Sequence, residues 1–278
     1  MTNKIDQVTI TTLTENTAGS RGMLGEHGLA FHIQAGDFVM LFDTGQGQTL
    51  AHNAAQLGVD LQHLDAIALS HGHYDHTGGL RALLEQGPRR RLYIHPAALQ
   101  AKYNRRREDI GGHLPDRPTL EAQADVTWTT GPTWLTDTIW LTGEIPRVTD
   151  FEDTGGPFYA DTLGETPDNL PDDQALVIDT EAGLIVVLGC GHSGVINTLK
   201  HIQTVQDRPI HALLGGMHLV RAAQPRIEAT LAALADWDIA WLAPAHCTGV
   251  RATSLFWTRF PNRCLVCTAG SRLSFGSI

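Results

Sequence analysis

Six consecutive residues, His71-Gly72-His73-Tyr74-Asp75-His76, bring three imidazoles and a carboxylate into one short stretch of chain. Solubility and core packing give no reason for such a density of ligand-type side chains, whereas divalent metal ions do. An apolar run at 64–69 precedes this HxHxDH pattern and predicts a buried strand, and a helical pattern begins near Thr77. In extended chain, side chains two positions apart project to the same side, so His71 and His73 can grip one ion together. Entry into the helix re-aims Asp75 and His76 at a neighbouring point, and two adjacent metal positions result. Imidazole and carboxylate suit zinc, manganese or iron, and mixed sets of this kind leave positions open to water. The composition agrees, with 14 histidines against 4 cysteines.

The elements that must hold this pattern recur along the chain. An apolar strand at 29–33, a turn at 34–37, a second strand at 38–42 and the Gly-rich loop 43–47 form one unit. A strand at 175–178, a turn at 179–183, a strand at 184–188 and the loop 189–194 repeat the order. Each unit is followed by a helical pattern and a buried strand ending in Gly and His: 64–69 before His71, and 211–214 before His218. This predicts an internally duplicated α/β fold, with two sheets face to face, helices outside, and strand-end loops meeting at one edge. The length suits a single domain over residues 1–278. The Pro-, Gly- and Asp-rich span 104–173 holds Trp128, Trp134 and Trp140 but few periodic elements, and is expected to be an irregular insert forming a lid over a substrate cleft.

The HxHxDH pattern, with FDTG at 42–45 upstream, resembles the metallo-β-lactamase superfamily. GEHGL at 25–29, SHGHYDHTGGL at 70–80, GCGHSG at 189–194, GGMHL at 215–219 and AHCTG at 245–249 extend the likeness over nearly the whole chain. Together they resemble the branch of dihydropterin-ribofuranosyl-aminobenzene-phosphate synthase-like proteins. The resemblance implies an αββα four-layer sandwich with its metal site at the sheet edges. It also implies two divalent ions bridged by hydroxide, with His71 and His73 at the first ion and Asp75 and His76 at the second, completed by His246. Two features depart from the common hydrolase pattern. Residues 167–174 contain no histidine, and the usual bridging aspartate of the following loop is replaced by Cys190-Gly191-His192. His192 is therefore taken as the remaining ligand of the first ion, against the alternative of a loop histidine capping the helix that starts near Val195. Cys190 is either a bridging thiolate or a small buried cysteine.

His218 corresponds to His71 in the internal repeat, and reads either as an acid or substrate contact in the cleft or as a satisfied strand-end histidine. His27, His95 and His113 favour ordinary loop or strand-end roles, although His113 lies in the insert. Arg105 and Arg147 border or lie within that insert and, with His113, are the candidates for meeting an anionic substrate. The Gly189-x-Gly191-x-x-Gly194 spacing mimics a dinucleotide fingerprint, but it follows a hairpin, and no acidic residue ends the next strand. Cys264 and Cys267 form a lone CxxC in an expected strand, where residues three apart face opposite ways, which argues against structural zinc.

A formal charge of -10 without a dominant basic stretch excludes a nucleic-acid binder. No apolar run approaches the ~18 residues a membrane span needs. The first ten residues lack a signal-peptide pattern, which predicts a cytoplasmic protein with free thiols and no membrane partner. The favoured reading is a dinuclear metal-dependent hydrolase acting on a small phosphorylated or pterin-like molecule through a metal-bound hydroxide. Zinc is the first choice of ion, Asp75 is a ligand that also orients the hydroxide, and His218 is the proton donor. Two other readings share the scaffold: an iron-dependent oxidoreductase, and a metal-containing ligand-binding or signalling protein. Two ions and one hydroxide would bring the net charge to about -7 and concentrate positive charge where an anion would react.

Overall fold

In the computed structural model, which describes residues 4–276, the first sheet starts with β1 (Gln7–Thr14), β2 (Ala30–Ala35) and β3 (Phe38–Phe42), joined antiparallel. Gly36, at φ 59°, takes the left-handed position that a two-residue hairpin turn demands between β2 and β3. β4 (Ala66–Ala68), β5 (Arg91–Ile94) and β6 (Asp125–Trp128) then add in parallel. The second sheet comprises β7 (Thr133–Trp134), β8 (Ile139–Leu141), β9 (Ala175–Thr180), β10 (Gly183–Leu188), β11 (Ile210–Gly216) and β12 (Trp241–Ala245). β13 (Arg272–Gly276) returns to pair with β1. The expected duplication appears as matched pairings. The hairpin β2–β3 is followed by parallel β4 and β5, and the hairpin β9–β10 by parallel β11 and β12.

Strand periodicity sorts the core into three layers of contact. Phe31, Ile33, Met40 and Phe42 of one sheet meet Leu176, Ile178, Ile185 and Val187 of the other. The alternate residues Leu41 and Ile67 face helices α1 (Leu50–Leu57), α3 (Leu80–Gln86) and α4 (Arg117–Gln123). Val177, Val186 and Leu213 face α5 (Val195–Val205), α6 (Gln224–Ala235) and α7 (Gly249–Arg259). Three apolar interfaces between four layers make the αββα sandwich, and burial on both faces explains why β9 and β10 read as continuous apolar runs.

Several expectations need correction. The strand before the HxHxDH pattern is only Ala66–Ala68, because Leu64 and Leu69 are buried outside the ladder. The span 104–173 is not irregular throughout: it supplies α4 and the strands β6, β7 and β8, whose two to four residues are too short to show a period. Its irregular parts flank these elements. Cys264 and Cys267 lie outside the named strands, tied to the second sheet by a single bridge from Leu242 to Cys264, and all four cysteines are free thiols. Among the described residues no helix is long and apolar enough to cross a membrane.

Candidate metal centre

β1, β3 and β4 run parallel in one sheet, as do β10, β11 and β12 in the other, and the loops leaving these six strands converge at one edge. In α/β sheets, ligand sites lie outside such carboxyl ends. The loop after β4 carries His71 and His73 and leads into the single turn α2 (Tyr74–Thr77), which carries Asp75 and His76. The loop after β10 carries Cys190 and His192, and His218 and His246 follow β11 and β12. Asp43, His218 and His246 all hold left-handed backbone, at φ 62°, 45° and 49°. Non-glycine residues accept that conformation where surrounding contacts enforce it, typically at functional sites.

Four of the imidazoles share one orientation. Asp43 Oδ2 accepts from His76 Nδ1 at 2.7 Å, Asn16 Oδ1 from His246 Nδ1 at 2.8 Å, and the Thr154 carbonyl from His192 Nδ1 at 2.8 Å. Ser70 Oγ donates to Asp43 Oδ2 at 2.7 Å, so it accepts from His71 Nδ1 at 2.9 Å. Every one of these rings therefore turns Nε2 inward, the arrangement that outer partners impose on metal-binding histidines.

The inward atoms gather at two points. His71 Nε2 and His73 Nδ1 lie 2.9 Å apart, and both residues, with His192, offer donors within 4.8 Å of one another. His192 Nε2 is buried without a hydrogen-bond partner, a costly condition that binding a metal ion would relieve. At the second point, His76 Nε2 is 3.3 Å from His246 Nε2, and Asp75 Oδ2 lies 3.4 Å from His246 Nε2 and 3.9 Å from His76 Nε2. Cys190 Sγ is 3.2 Å from His76 Nε2. The chemistry of these donors fits two divalent ions: His71, His73 and His192 at one, Asp75, His76 and His246 at the other, with Cys190 beside the second.

Protonation follows the same geometry. Burial keeps His71 and His192 neutral to well below the usual histidine range, and pushes His73 down to about 3. Burial also opposes charge on Asp75, but His76, His246 and His27 outweigh it and hold the carboxyl well below its ordinary range. His76 is raised to about 9, because Asp43 and Asp75 overcome its burial. A cation at Nε2 would take the place of that proton.

The candidates taken from the sequence separate clearly. His71, His73, Asp75, His76, His192 and His246 come together, and His218 lines the adjoining cleft of about 530 Å³, as does Arg105. Arg147 does not face the cleft, because its guanidinium donates to the carbonyls of His192 at 2.7 Å and Asn169 at 2.9 Å. It positions the His192 loop. His113 is exposed, 3.6 Å from Asp109, and outside the cleft lining. The Gly-rich entrance to α5 holds no phosphate subsite: the Glu152 carboxylate accepts from Ile196 N at 3.0 Å and Asn197 N at 2.8 Å there. Sequence reasoning gave His27 an ordinary loop role, but its Nε2 lies 3.2 Å from Asp75 Oδ2, and it passed over Phe158, whose ring centroid is 5.4 Å from that of His73. It also passed over Arg221 on the cleft wall. A lone residue in a loop carries no periodic signal that would have marked Phe158 or Arg221.

The chain is similar to several known proteins. The chain is 30% identical over 275 residues, covering 92% of itself and 93% of the relative, to 7,8-dihydropterin-6-methyl-4-(β-D-ribofuranosyl)-aminobenzene-5'-phosphate synthase of Methanocaldococcus jannaschii. Its structure resembles that of Tm1679, a metal-dependent hydrolase of the β-lactamase superfamily, with a TM-score of 0.83, 29% identity, and coverage of 97% and 100% of the two chains. The metallo-β-lactamase fold protein YhfI of Bacillus subtilis shares the fold at 14% identity, with a TM-score of 0.60 and coverage of 97% and 100%. The sequence profile of the metallo-beta-lactamase superfamily matches residues 25–196, which contain the strand-end histidines of both halves up to His192, and the chain belongs to that superfamily.

Proposed function

We propose that this protein is a metal-dependent hydrolase that holds two divalent ions, zinc first with manganese or iron as alternatives, and acts on a small anionic substrate bearing a flat ring. The shared orientation of the imidazoles carries this reading: His71, His76, His192 and His246 spend Nδ1 on the scaffold and present Nε2 to a common interior. When bound, such ions supply Lewis acidity and a water whose pKa is brought towards neutrality. The chain's own residues do the rest. Asp75, kept ionised by its histidine neighbours, offers Oδ2 both as a ligand and as an acceptor that orients a water proton. His218, on the cleft wall with its ring centroid 6.0 Å from that of Phe158, is placed to give a proton to a leaving group. Phe158 offers an apolar face to a ring, and Arg105 and Arg221 supply positive charge for an anion. The segment from Asp153 to Phe158 lines the same cleft and acts as the lid that excludes water. The M. jannaschii relative is named as the synthase of a compound that joins a dihydropterin to a ribose phosphate, which supports a ligand of this class in the cleft.

The test is elemental analysis of the purified protein paired with a panel of phosphomonoesters, phosphodiesters, thioesters and lactones. A first-row metal should co-purify, one ester class should turn over, and His73→Ala should lower kcat/KM by more than about 100-fold with an unchanged circular dichroism spectrum. The reading fails if no first-row metal co-purifies or restores turnover. Bound iron with oxygen consumption and no hydrolysis would favour an oxidoreductase instead.

A further inference from the structure

Two thiols lie beside the histidine-built positions, and the hydrolytic reading makes no use of the second of them. Cys190 leaves β10 and Cys247 follows β12, both are buried, and with one ring nitrogen of His218 their sulfurs form a donor triad within 4.8 Å. The loops are brought this close by Gly216, where a Cβ would sit 2.6 Å from Cys247 Sγ and 3.2 Å from Cys190 Cα. His218 is turned by its left-handed backbone, and its own N–H donates to Cys247 Sγ at 3.3 Å. Its Nδ1 is buried without a hydrogen-bond partner. Gly155 packs on the other side of the ring, where a Cβ would lie 1.8 Å from His218 Cδ2, so the imidazole is clamped between the lid and the thiols.

We propose that Cys190, His218 and Cys247 form a further metal site for a thiophilic divalent ion, zinc above all, adjoining the histidine-built pair. Two sulfurs and one imidazole nitrogen are a soft set of the kind that selects zinc over magnesium or calcium. Typical zinc bonds of about 2.3 Å to sulfur and 2.0–2.1 Å to nitrogen put neighbouring donors roughly 3.5–4 Å apart, so only a small contraction of this triad is needed. Binding releases the two thiol protons to water, and two thiolates neutralise the ion's charge, which suits a buried position. Cys190 also touches His76, so its sulfur stands between this site and the second histidine-built position. Ligation through Nδ1 would fix the remaining His218 proton on Nε2, the form needed to donate into the cleft.

Cobalt(II) alone, titrated into the metal-free protein under reducing conditions, tests the site by stoichiometry and by sulfur-to-cobalt absorption in the near ultraviolet. The wild-type chain should take up three equivalents, and Cys247→Ser should take up two with a weaker sulfur band. His218→Asn, in a different loop, should also lose one equivalent, which guards against a folding defect peculiar to the serine variant. His73→Ala should remove histidine-held cobalt while keeping the Cys247-dependent equivalent, so failure of the hydrolytic reading and failure of this one are separable. Two equivalents in both wild type and Cys247→Ser, or an unchanged count and band in Cys247→Ser, would overturn the proposal.

Discussion

Asp43 touches no substrate and, on the geometry, no ion, yet three groups at the centre depend on it. Its Oδ2 accepts from His76 Nδ1 and Ser70 Oγ, and its Oδ1 accepts from Ser70 N at 2.7 Å. Through Ser70 it also fixes the tautomer of His71, so one carboxylate orients a ligand at each metal position. Asp43→Ala should therefore weaken metal affinity by about 10–100-fold, the usual cost of removing an outer partner. Competition with a chromogenic chelator measures this, and an affinity within twofold of wild type would refute the role. Four candidate ligands, His71, His73, Asp75 and His76, were legible in the sequence because they lie on six contiguous residues, whereas His246 rested on the family resemblance. Asn16 was not, and His27 was read as an ordinary loop residue, because each reaches the site from a loop without a periodic pattern. Arg147 was misread for the converse reason: an arginine in a polar segment suggests an anion, but here two backbone carbonyls take up its donors.

At the scale of elements, α5 and the segment before it act as one piece. The helix begins at Val195 with no side-chain cap from its own N-cap glycine, and the buried Glu152 carboxylate satisfies its first free N–H groups instead. Glu152 also accepts from Thr149 Oγ1 at 3.1 Å. Two residues further on, the Thr154 carbonyl holds His192. The helix entrance, the segment lining the cleft and one candidate metal ligand are thus fastened by a single acid. Glu152→Ala should destabilise the protein by about 2 kcal/mol, as expected when a charged acceptor leaves buried N–H groups unpaired. Urea unfolding should show this as a lower midpoint at an unchanged slope. A midpoint equal to wild type would show that water replaces the carboxylate. The hairpins were readable because short apolar runs on either side of a turn glycine are local signals. The acid that caps α5 was not, since it lies 44 residues from the amide it serves and the intervening chain is mostly loop and strand.

Across the whole molecule, the candidate ligands are drawn from both sheets, so ions held by them would join the two halves of the duplicated fold. Ions that bind this assembled edge and not the unfolded chain stabilise it by mass action, by about 4 kcal/mol at a thousandfold excess over Kd. At a few degrees per kcal/mol for a chain of this size, removal of metal should lower Tm on the order of 10 °C. Differential scanning calorimetry before and after chelation checks this, and an unchanged Tm would mean that the ions contribute nothing to the join. The four-layer architecture was accessible from the repeat of strand, turn, strand and Gly-rich loop. The short strands β6, β7 and β8 were not, because two to four residues at a sheet margin carry no period to read.

The separation of the ligands along the chain has a kinetic consequence. His76 precedes the second hairpin unit and His246 follows it, so the second position is complete only after the two sheets have docked and the loop beyond β12 has closed. Contacts so distant in sequence form late, when most of the loop-closure entropy has already been lost. An ion held there contributes little to the folding transition state and much to the native state. Metal should accordingly leave the folding rate nearly unchanged and slow unfolding, so that the centre acts as a latch on a finished fold and not as a template for making one.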